Sequence, residues 1–156
     1  NLPKEASAKL PSRGQVMIKG KINGADFQAA LEPDGEGSHW FEVDETLQES
    51  AKATAGDTVT LQIEPVKEWP EPEVPADLQK ALDANKKANA LWIDITAMAR
   101  WDWIRWIRGT KNAETRKRRV EVACSKMSAG ERRPCCFNRS ESTVPELSKN
   151  GVLRKA

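Results

Sequence analysis

Three cysteines and one histidine are the side chains of this sequence with the clearest capacity for chemistry. Cys124 precedes the adjacent pair Cys135 and Cys136, and His39 lies far upstream. Thiolates and imidazole can bind zinc or form a nucleophile–base pair, but this cysteine spacing matches no zinc motif and nothing orients His39 toward a thiol. An odd number of cysteines also argues against a secreted disulfide framework. We therefore expect free or structural thiols, a partly buried and hydrogen-bonded His39, no metal or other cofactor, and no enzymatic activity.

A segment rich in tryptophan and arginine is the first candidate binding surface. On a helical wheel, Trp103 and Trp106 fall on the apolar arc, which predicts that both pack in a core. Trp101 falls on the opposite side, one turn before Arg105 and two turns before Arg108. A tryptophan flanked by guanidinium groups forms either a structural cation–π stack or a recognition surface. We take Trp101, Arg105 and Arg108 as candidate binding residues.

A run of four basic residues, 116–119, is the second candidate surface. Residues 100–139 carry 12 basic and 4 acidic side chains. We take Arg118 and Arg119 as candidate binding residues on one surface with Trp101, Arg105 and Arg108. Clustered cations are what phosphate binding requires, so nucleic-acid binding by the basic helices is the alternative function. The competing interpretation is a solvated helix face that docks against the acidic half of the chain, since a basic run alone is a weak motif.

The acidic half of the chain is the third candidate surface. Residues 1–75 carry 7 basic and 14 acidic side chains, whereas residues 76–156 carry 18 and 9. Four carboxylates cluster around predicted hairpin tips: Glu32, Asp34, Glu36 and Glu42. Such a cluster attracts cations over a distance. We take these four residues as candidate contacts for a cationic peptide.

The acidic half has the pattern of short β-strands. Residues 15–22 and 26–31 alternate between apolar and polar side chains, and Asn23-Gly24 between them is a strong hairpin signal. Further strands are predicted at 38–43 and 58–64, with a short helix at 46–54 between them. These elements predict a small β-barrel over residues 1–64.

The second half of the chain has the pattern of helices. Four prolines in residues 65–75 predict a stiff, extended strap, and we expect Trp69 to pin this strap to the barrel. Helices are predicted at 76–87, 97–108 and 113–129, so residues 76–138 form a basic helical segment ending in a hairpin. Residues 139–156 show no periodicity and are predicted to be an irregular tail. The fold class expected for the chain is therefore α+β.

The sequence resembles the bacteriocin-protection, YdeI/OmpD-associated family. The matching segments are GQVMIKGKINGADFQAALEPDGEGSHWFEV, AGDTVTLQIEP, VPADLQKAL, ITAMARWDWIRWI and TKNAETRKRRVEVACSKMSAGERRPCCFN. The first two resemble a bacterial β-barrel domain of unknown function, and the later ones resemble the helical segment that gives the family its name. The resemblance implies protection against bacteriocins or cationic antimicrobial peptides and association with an outer-membrane porin. It supplies no catalytic residues.

One departure from the family concerns the start of the chain. Family members carry an upstream strand that enters the barrel and ends at a Leu-Pro, and Leu2-Pro3 stands at that point here. Either the sequence is truncated or another chain fills the barrel edge, which would be a ready site for pairing. The absence of an apolar span and of a leader predicts a cytoplasmic localisation, whereas a truncated start would be compatible with a periplasmic one.

These observations together favour a non-enzymatic binding protein. Its partner is expected to be a cationic peptide or another protein, with nucleic acid as the alternative. The oligomeric state and the mechanism of any protection do not follow from the sequence.

Overall fold

The computed structural model describes residues 1–135 and 137–154 of the chain. These residues form two compact units. The first unit consists of Asn1–Glu68 with Arg139–Glu141, and the second consists of Trp69–Asn138 with Ser142–Ala156. Strands dominate the first unit and helices the second, which confirms the predicted α+β class.

The first unit is built around a curled antiparallel sheet that forms half of a barrel. Its four strands are β1 (Val16–Ile22), β2 (Ala25–Pro33), β3 (His39–Trp40) and β4 (Leu61–Pro65), in the order β3-β2-β1-β4. Two helices accompany the sheet: α1 (Lys4–Ala8), which the sequence pattern does not predict, and α2 (Glu45–Ala51). The predicted strand at 38–43 is regular only over the two residues of β3.

The hairpin between β1 and β2 follows directly from its turn residues. Asn23 and Gly24 have φ values of 48° and 83°, the left-handed conformations that a tight hairpin turn of this kind requires. Val16 pairs with Leu31 at the far end of the ladder. Both side chains are buried on the inner face of the curled sheet.

The second unit contains four helices and a short hairpin. The helices are α3 (Ala76–Asp83), α4 (Lys86–Asp94), α5 (Ala97–Arg108) and α6 (Ala113–Ser128), and the hairpin pairs β5 (Ser148–Lys149) with β6 (Val152–Leu153). The predicted helix at 76–87 was wrong at its end, because Asn85 caps a separate helix by accepting a hydrogen bond from the backbone N–H of Ala88. The hairpin lies in the segment for which no regular structure was predicted.

The predicted helix α5 has the bounds and the cap that its sequence indicates. Thr96 accepts a hydrogen bond from the backbone N–H of Ala99, and Gly109 ends the helix. Trp103 and Ile107 are fully buried in the core formed by the four helices. Trp106 is half-buried beside Trp103, with their ring centroids 6.1 Å apart, so the apolar arc of the wheel packs as predicted. None of the helices in the described residues is long and apolar enough to cross a membrane.

Candidate functional site

Trp101, the tryptophan predicted to lie outside the core, holds the Pro-rich strap within the helical unit. Its indole Nε1 donates a hydrogen bond to the backbone oxygen of Pro70 at 2.8 Å. Its ring meets the ring of Trp69 edge to face, with the centroids 6.4 Å apart. Both indoles remain half-buried. The two rings therefore form a small, fixed aromatic surface, and the ring partner of Trp69 is Trp101 rather than a residue of the sheet.

Arg100 is the second anchor of the strap, and the sequence pattern did not single it out. Its guanidinium donates to both carboxylate oxygens of Glu71, at 2.9 and 2.5 Å. Its Nη1 also donates to the backbone oxygens of Trp92 and Ile95, which satisfies carbonyls at the end of α4. One arginine thus ties the strap to a helix terminus. The pairing spans 29 residues of sequence, so no local pattern reveals it.

Arg105 does not lie on an exposed surface with Trp101. Its side chain is fully buried, its guanidinium carbon lies 5.2 Å from the centre of the Phe137 ring, and its Nε donates to Thr143 Oγ1 at 3.4 Å. Arg108 is half-buried. The expected surface of Trp101, Arg105 and Arg108 is therefore not assembled, because segments distant in sequence cover Arg105.

The basic run 116–119 is partly neutralised within the helical unit itself. Arg116 donates to both carboxylate oxygens of Asp77 on α3, at 2.7 and 3.2 Å. The side-chain hydrogen bond from Arg116 lowers the pKa of Asp77. Arg119 donates to the backbone oxygen of Trp106 at 2.7 Å, and its guanidinium lies over the Trp106 ring. These two arginines stabilise packing between helices.

Lys117 and Arg118 are the exposed members of the basic run. They line a shallow depression of about 490 Å³ on α6, but Glu114 and Glu121 line the same depression. Its charge is therefore mixed. Phosphate binding favours clustered cations that carboxylates do not offset, so this surface is a weak match to a nucleic-acid site.

The four predicted acidic contacts separate into two groups. Glu32 is 8% exposed and accepts a hydrogen bond from the Gln15 amide at 2.9 Å. Asp34 is 5% exposed and accepts hydrogen bonds from two backbone N–H groups of the turn that follows it. Glu36 and Glu42 are exposed. The first two carboxylates are structural, and they do not form one solvent-facing surface with the other two.

Helix α2 adds exposed carboxylates that the sequence analysis did not single out. Glu45 and Glu49 are exposed, as is Asp44, whose side chain caps the helix by accepting from the backbone N–H of Leu47 at 2.8 Å. The amphipathic pattern of this segment, with Leu47 and Ala51 turned inward, would have indicated this acidic outer face. Together with Glu42, α2 makes residues 42–49 the most acidic exposed segment of the sheet unit.

His39 is a structural residue, as the alternation of its strand predicted. Its side chain is fully buried; Nε2 donates to the backbone oxygen of Gly14 at 2.8 Å, and Nδ1 accepts from Ser7 Oγ at 2.6 Å. Burial lowers the pKa of His39, because the imidazolium form loses its hydration. Both ring nitrogens are occupied, so neither is available as a general base or a metal ligand.

The cysteines show no arrangement for chemistry among the described residues. Cys124 is buried in the helical core, and burial raises the pKa of its thiol. Cys135 is exposed and is not in a disulfide, whereas Cys136, named with it above, lies outside the described residues. No group of three or more His, Cys, Asp or Glu side chains in the described part of the chain is placed to hold a metal ion.

Two family models match the chain and confirm the resemblance. Residues 71–130 match the model of the bacteriocin-protection, YdeI or OmpD-associated family. Residues 1–63 match the model of a domain of unknown function, DUF1905. No curated protein and no solved structure matches the sequence. The first match falls on the helical unit and the second on the sheet unit.

Proposed function

We propose that this chain, which joins a DUF1905 domain to a bacteriocin-protection segment, is a non-enzymatic protein that binds cationic peptides. The observation that supports the proposal is the exposed excess of acidic side chains in the sheet unit. Residues 1–68 hold 12 acidic and 7 basic side chains, and the carboxylates of residues 42–49 face solvent. An exposed excess of one sign raises the local concentration of ligands of the opposite sign.

The arginines of the helical unit offer a weaker site for an anionic partner. Arg100, Arg116 and Arg132 form ion pairs with Glu71, Asp77 and Asp94 of the same unit. A cation already paired with a carboxylate contributes little to long-range attraction of phosphate. Cationic-peptide binding therefore has more support than nucleic-acid binding. The family name points the same way, because many bacteriocin-like agents are peptides.

The proposal is tested by titrating the purified chain with a fluorescently labelled lysine- and leucine-rich peptide. We expect binding that weakens as salt is raised, since screening shortens the range of the attraction to about 10 Å at 0.1 M salt. Glu42→Gln combined with Glu49→Gln should weaken binding about threefold to tenfold. The matched control is Glu114→Gln with Glu121→Gln, which removes the same charge from α6 and should leave the affinity unchanged.

Two outcomes would contradict the proposed function. The first is an absence of peptide binding at low salt, where electrostatic attraction is strongest. The second is a shift of duplex DNA at low salt that is lost in Lys117→Glu with Arg118→Glu, since this would assign binding to the basic run.

A further inference from the structure

The indoles of Trp69 and Trp101 form an aromatic corner in the helical unit. Their ring planes are inclined at 74°, with the centroids 6.4 Å apart. In an edge-to-face contact one ring presents only its edge, so its own faces are not covered by the other ring. Both side chains remain half-buried, and each leaves part of its surface in solvent. The walls of the corner are therefore π faces, whose negative potential attracts cations.

The aromatic corner is fixed in place by contacts within the helical unit. Trp101 Nε1 donates to the Pro70 carbonyl at 2.8 Å, which holds that ring against the strap. The neighbouring ion pair of Arg100 with Glu71 ties the strap to α5 a second time. Proline at positions 70 and 72 restricts the strap backbone further. A ligand that enters the corner therefore loses little free energy to ordering of the protein.

Glu71 places a carboxylate with remaining hydrogen-bonding sites next to the aromatic corner. Arg100 bonds to both of its oxygens, yet the Glu71 side chain is 69% exposed whereas that of Arg100 is only 12% exposed. An ionised carboxylate offers about four lone-pair sites, so a second guanidinium can bind on the solvent-facing side. Glu71 directly follows Pro70, whose carbonyl the Trp101 indole binds. The carboxylate and the corner therefore lie on the same short segment.

The charge carried by this segment is negative. The strap, residues 65–75, holds three glutamates and one lysine. Arg100, the cation that precedes Trp101 on α5, is already paired with Glu71. Glu73 is exposed and forms no ion pair among the residues that the structure describes. Even with Arg100 counted, carboxylates remain in excess, so the strap attracts a cation and repels an anion.

The helical unit stacks one of its own arginines on another tryptophan. The guanidinium carbon of Arg119 lies 5.6 Å from the centre of the Trp106 ring, within the range of a cation–π interaction. Among the described residues, no cation of the chain lies over Trp69 or Trp101 in this way. The aromatic corner can therefore offer an arginine of another molecule the contact that Trp106 makes with Arg119.

We propose that the aromatic corner of Trp69 and Trp101 binds an arginine side chain of a partner peptide, whose guanidinium stacks on an indole face and donates to the outer side of Glu71. A planar guanidinium can do both, because it stacks through its faces and donates through its edge. This inference goes beyond the proposed function, since the site lies in the helical unit and does not use the carboxylates of α2.

Titration of the full chain with short peptides tests the guanidinium directly. The probe is a blocked pentapeptide with one central arginine between serine and glycine residues. In the matched control, citrulline replaces arginine and keeps its shape without its charge. We expect the arginine peptide to shift the indole N–H resonances of Trp69 and Trp101 and to bind about threefold to thirtyfold more tightly than the control. Equal binding of the two peptides, or shifts confined to other residues, would overturn the inference.

A lysine version of the pentapeptide separates guanidinium recognition from general attraction of charge. It carries the same net charge as the arginine peptide, but an ammonium group cannot stack flat on a ring and donate to a carboxylate as a fork. We expect the lysine peptide to bind at least about threefold more weakly at the same salt concentration. Equal affinities of the two peptides would contradict the proposed site.

Substitution of Trp69 shows whether its indole provides the preference for arginine. Trp69→Leu keeps an apolar side chain without a π face, whereas Trp69→Phe keeps a smaller π face. We expect the preference for arginine over citrulline to fall to about twofold or less in Trp69→Leu and to be intermediate in Trp69→Phe. The Trp101 indole N–H resonance reports whether the strap stays docked. An unchanged preference in a docked Trp69→Leu variant would contradict the inference, and the peptide comparison on the parent chain needs no variant.

The variant Glu42→Gln with Glu49→Gln distinguishes this site from the proposed binding of cationic peptides by the sheet unit. It should weaken binding of the lysine- and leucine-rich peptide and change the affinity for the arginine pentapeptide by less than about twofold. Loss of the pentapeptide in this variant would place it on α2 and overturn the inference. Failure of the lysine- and leucine-rich peptide to bind the parent chain would refute the proposed function, while retained binding of the pentapeptide would still support the aromatic corner.

Discussion

Gly20 controls how closely β1 and β4 can approach, and Gly20→Ala is therefore the most informative change in the sheet. Gly20 pairs with Ile63 in the ladder. A Cβ atom on Gly20 would lie 1.9 Å from the carbonyl oxygen of Gln62 and 2.8 Å from the Cα of Ile63. Both obstacles are backbone atoms, so no change of rotamer relieves them. The φ of Gly20 lies outside the left-handed region, which makes the penalty steric alone.

The expected loss in free energy of unfolding follows from the displacement of β4 that the new methyl group requires. The contact must lengthen from 1.9 Å to more than 3.0 Å, so β4 has to move by about 1 Å or leave the ladder. Forcing an extra methyl group into a packed site costs about 1–3 kcal/mol. Detachment would also expose the half-buried Leu61 and Ile63, at about 1 kcal/mol each. We expect Gly20→Ala to lower the free energy of unfolding of the sheet unit by about 3–5 kcal/mol.

Hydrogen exchange distinguishes loss of β4 from general unfolding. The amides of Lys19 and Lys21 face β4, whereas the amide of Ile18 faces β2, because successive residues of β1 bond to opposite neighbours. We expect the first two amides to lose protection in Gly20→Ala while the third keeps most of it. Gly24→Ala is the control, since Gly24 has open space around it but a φ of 83°. The Gly24→Ala substitution should lower the free energy of unfolding by about 1–2 kcal/mol, because alanine disfavours a positive φ, and it should not detach β4 specifically.

A Gly20→Ala variant whose free energy of unfolding lies within about 0.5 kcal/mol of the parent chain and whose Lys19 and Lys21 amides stay protected would contradict this prediction. Such a result would mean that β4 can shift without loss of packing.

Two further predictions concern pH. The pKa of His39 is lowered in the folded chain, so the unfolded chain takes up a proton at a higher pH than the folded chain does. The contribution of neutral His39 to the free energy of unfolding is therefore fully present above pH 7, and it decreases toward pH 5 by up to about 1.4 kcal/mol per pH unit. In denaturant titrations, His39→Gln should flatten this slope, and an unchanged slope would contradict the assignment. The lowered pKa of Asp77 has the opposite origin, since Arg116 stabilises the carboxylate. Asp77→Asn should lower the free energy of unfolding by up to about 1 kcal/mol at pH 7 for this half-exposed pair, and the difference should shrink as the pH falls below the ordinary Asp pKa of 3.8; a difference that stays constant while the carboxylate is protonated would exclude the ion pair as its cause.

The elements that the sequence predicts well are those with local signals. Asn23-Gly24 forces left-handed φ at two successive residues, and the hairpin register follows from that turn. Thr96 and Asn112 cap their helices within three residues, so the starts of α5 and α6 are confirmed. In each case the interacting groups lie within one turn of backbone. Local chemistry is therefore enough to indicate these elements from the sequence.

The features that the sequence analysis missed depend on residues far apart in the chain. A helical wheel places Arg105 on the polar side, but Phe137 and Thr143 cover it after folding. The partners Arg100 and Glu71 are 29 residues apart, and nothing in either local pattern indicates the pair. Burial of a charge is therefore a property of the assembled unit, and a candidate surface drawn from one helix is incomplete.

The arginine-rich composition of the helical unit is better explained by packing than by recognition. Arg133 pairs with the buried Asp102, Arg116 joins α6 to α3, and Arg119 joins α6 to α5. A planar guanidinium can bridge two segments with several directed hydrogen bonds, which a lysine ammonium cannot do in the same geometry. Arginines that bridge segments in this way have their charge offset by partners within the same unit. Residues 1–68 hold 12 acidic and 7 basic side chains, so the exposed carboxylates of α2 lie in a unit with a net negative charge.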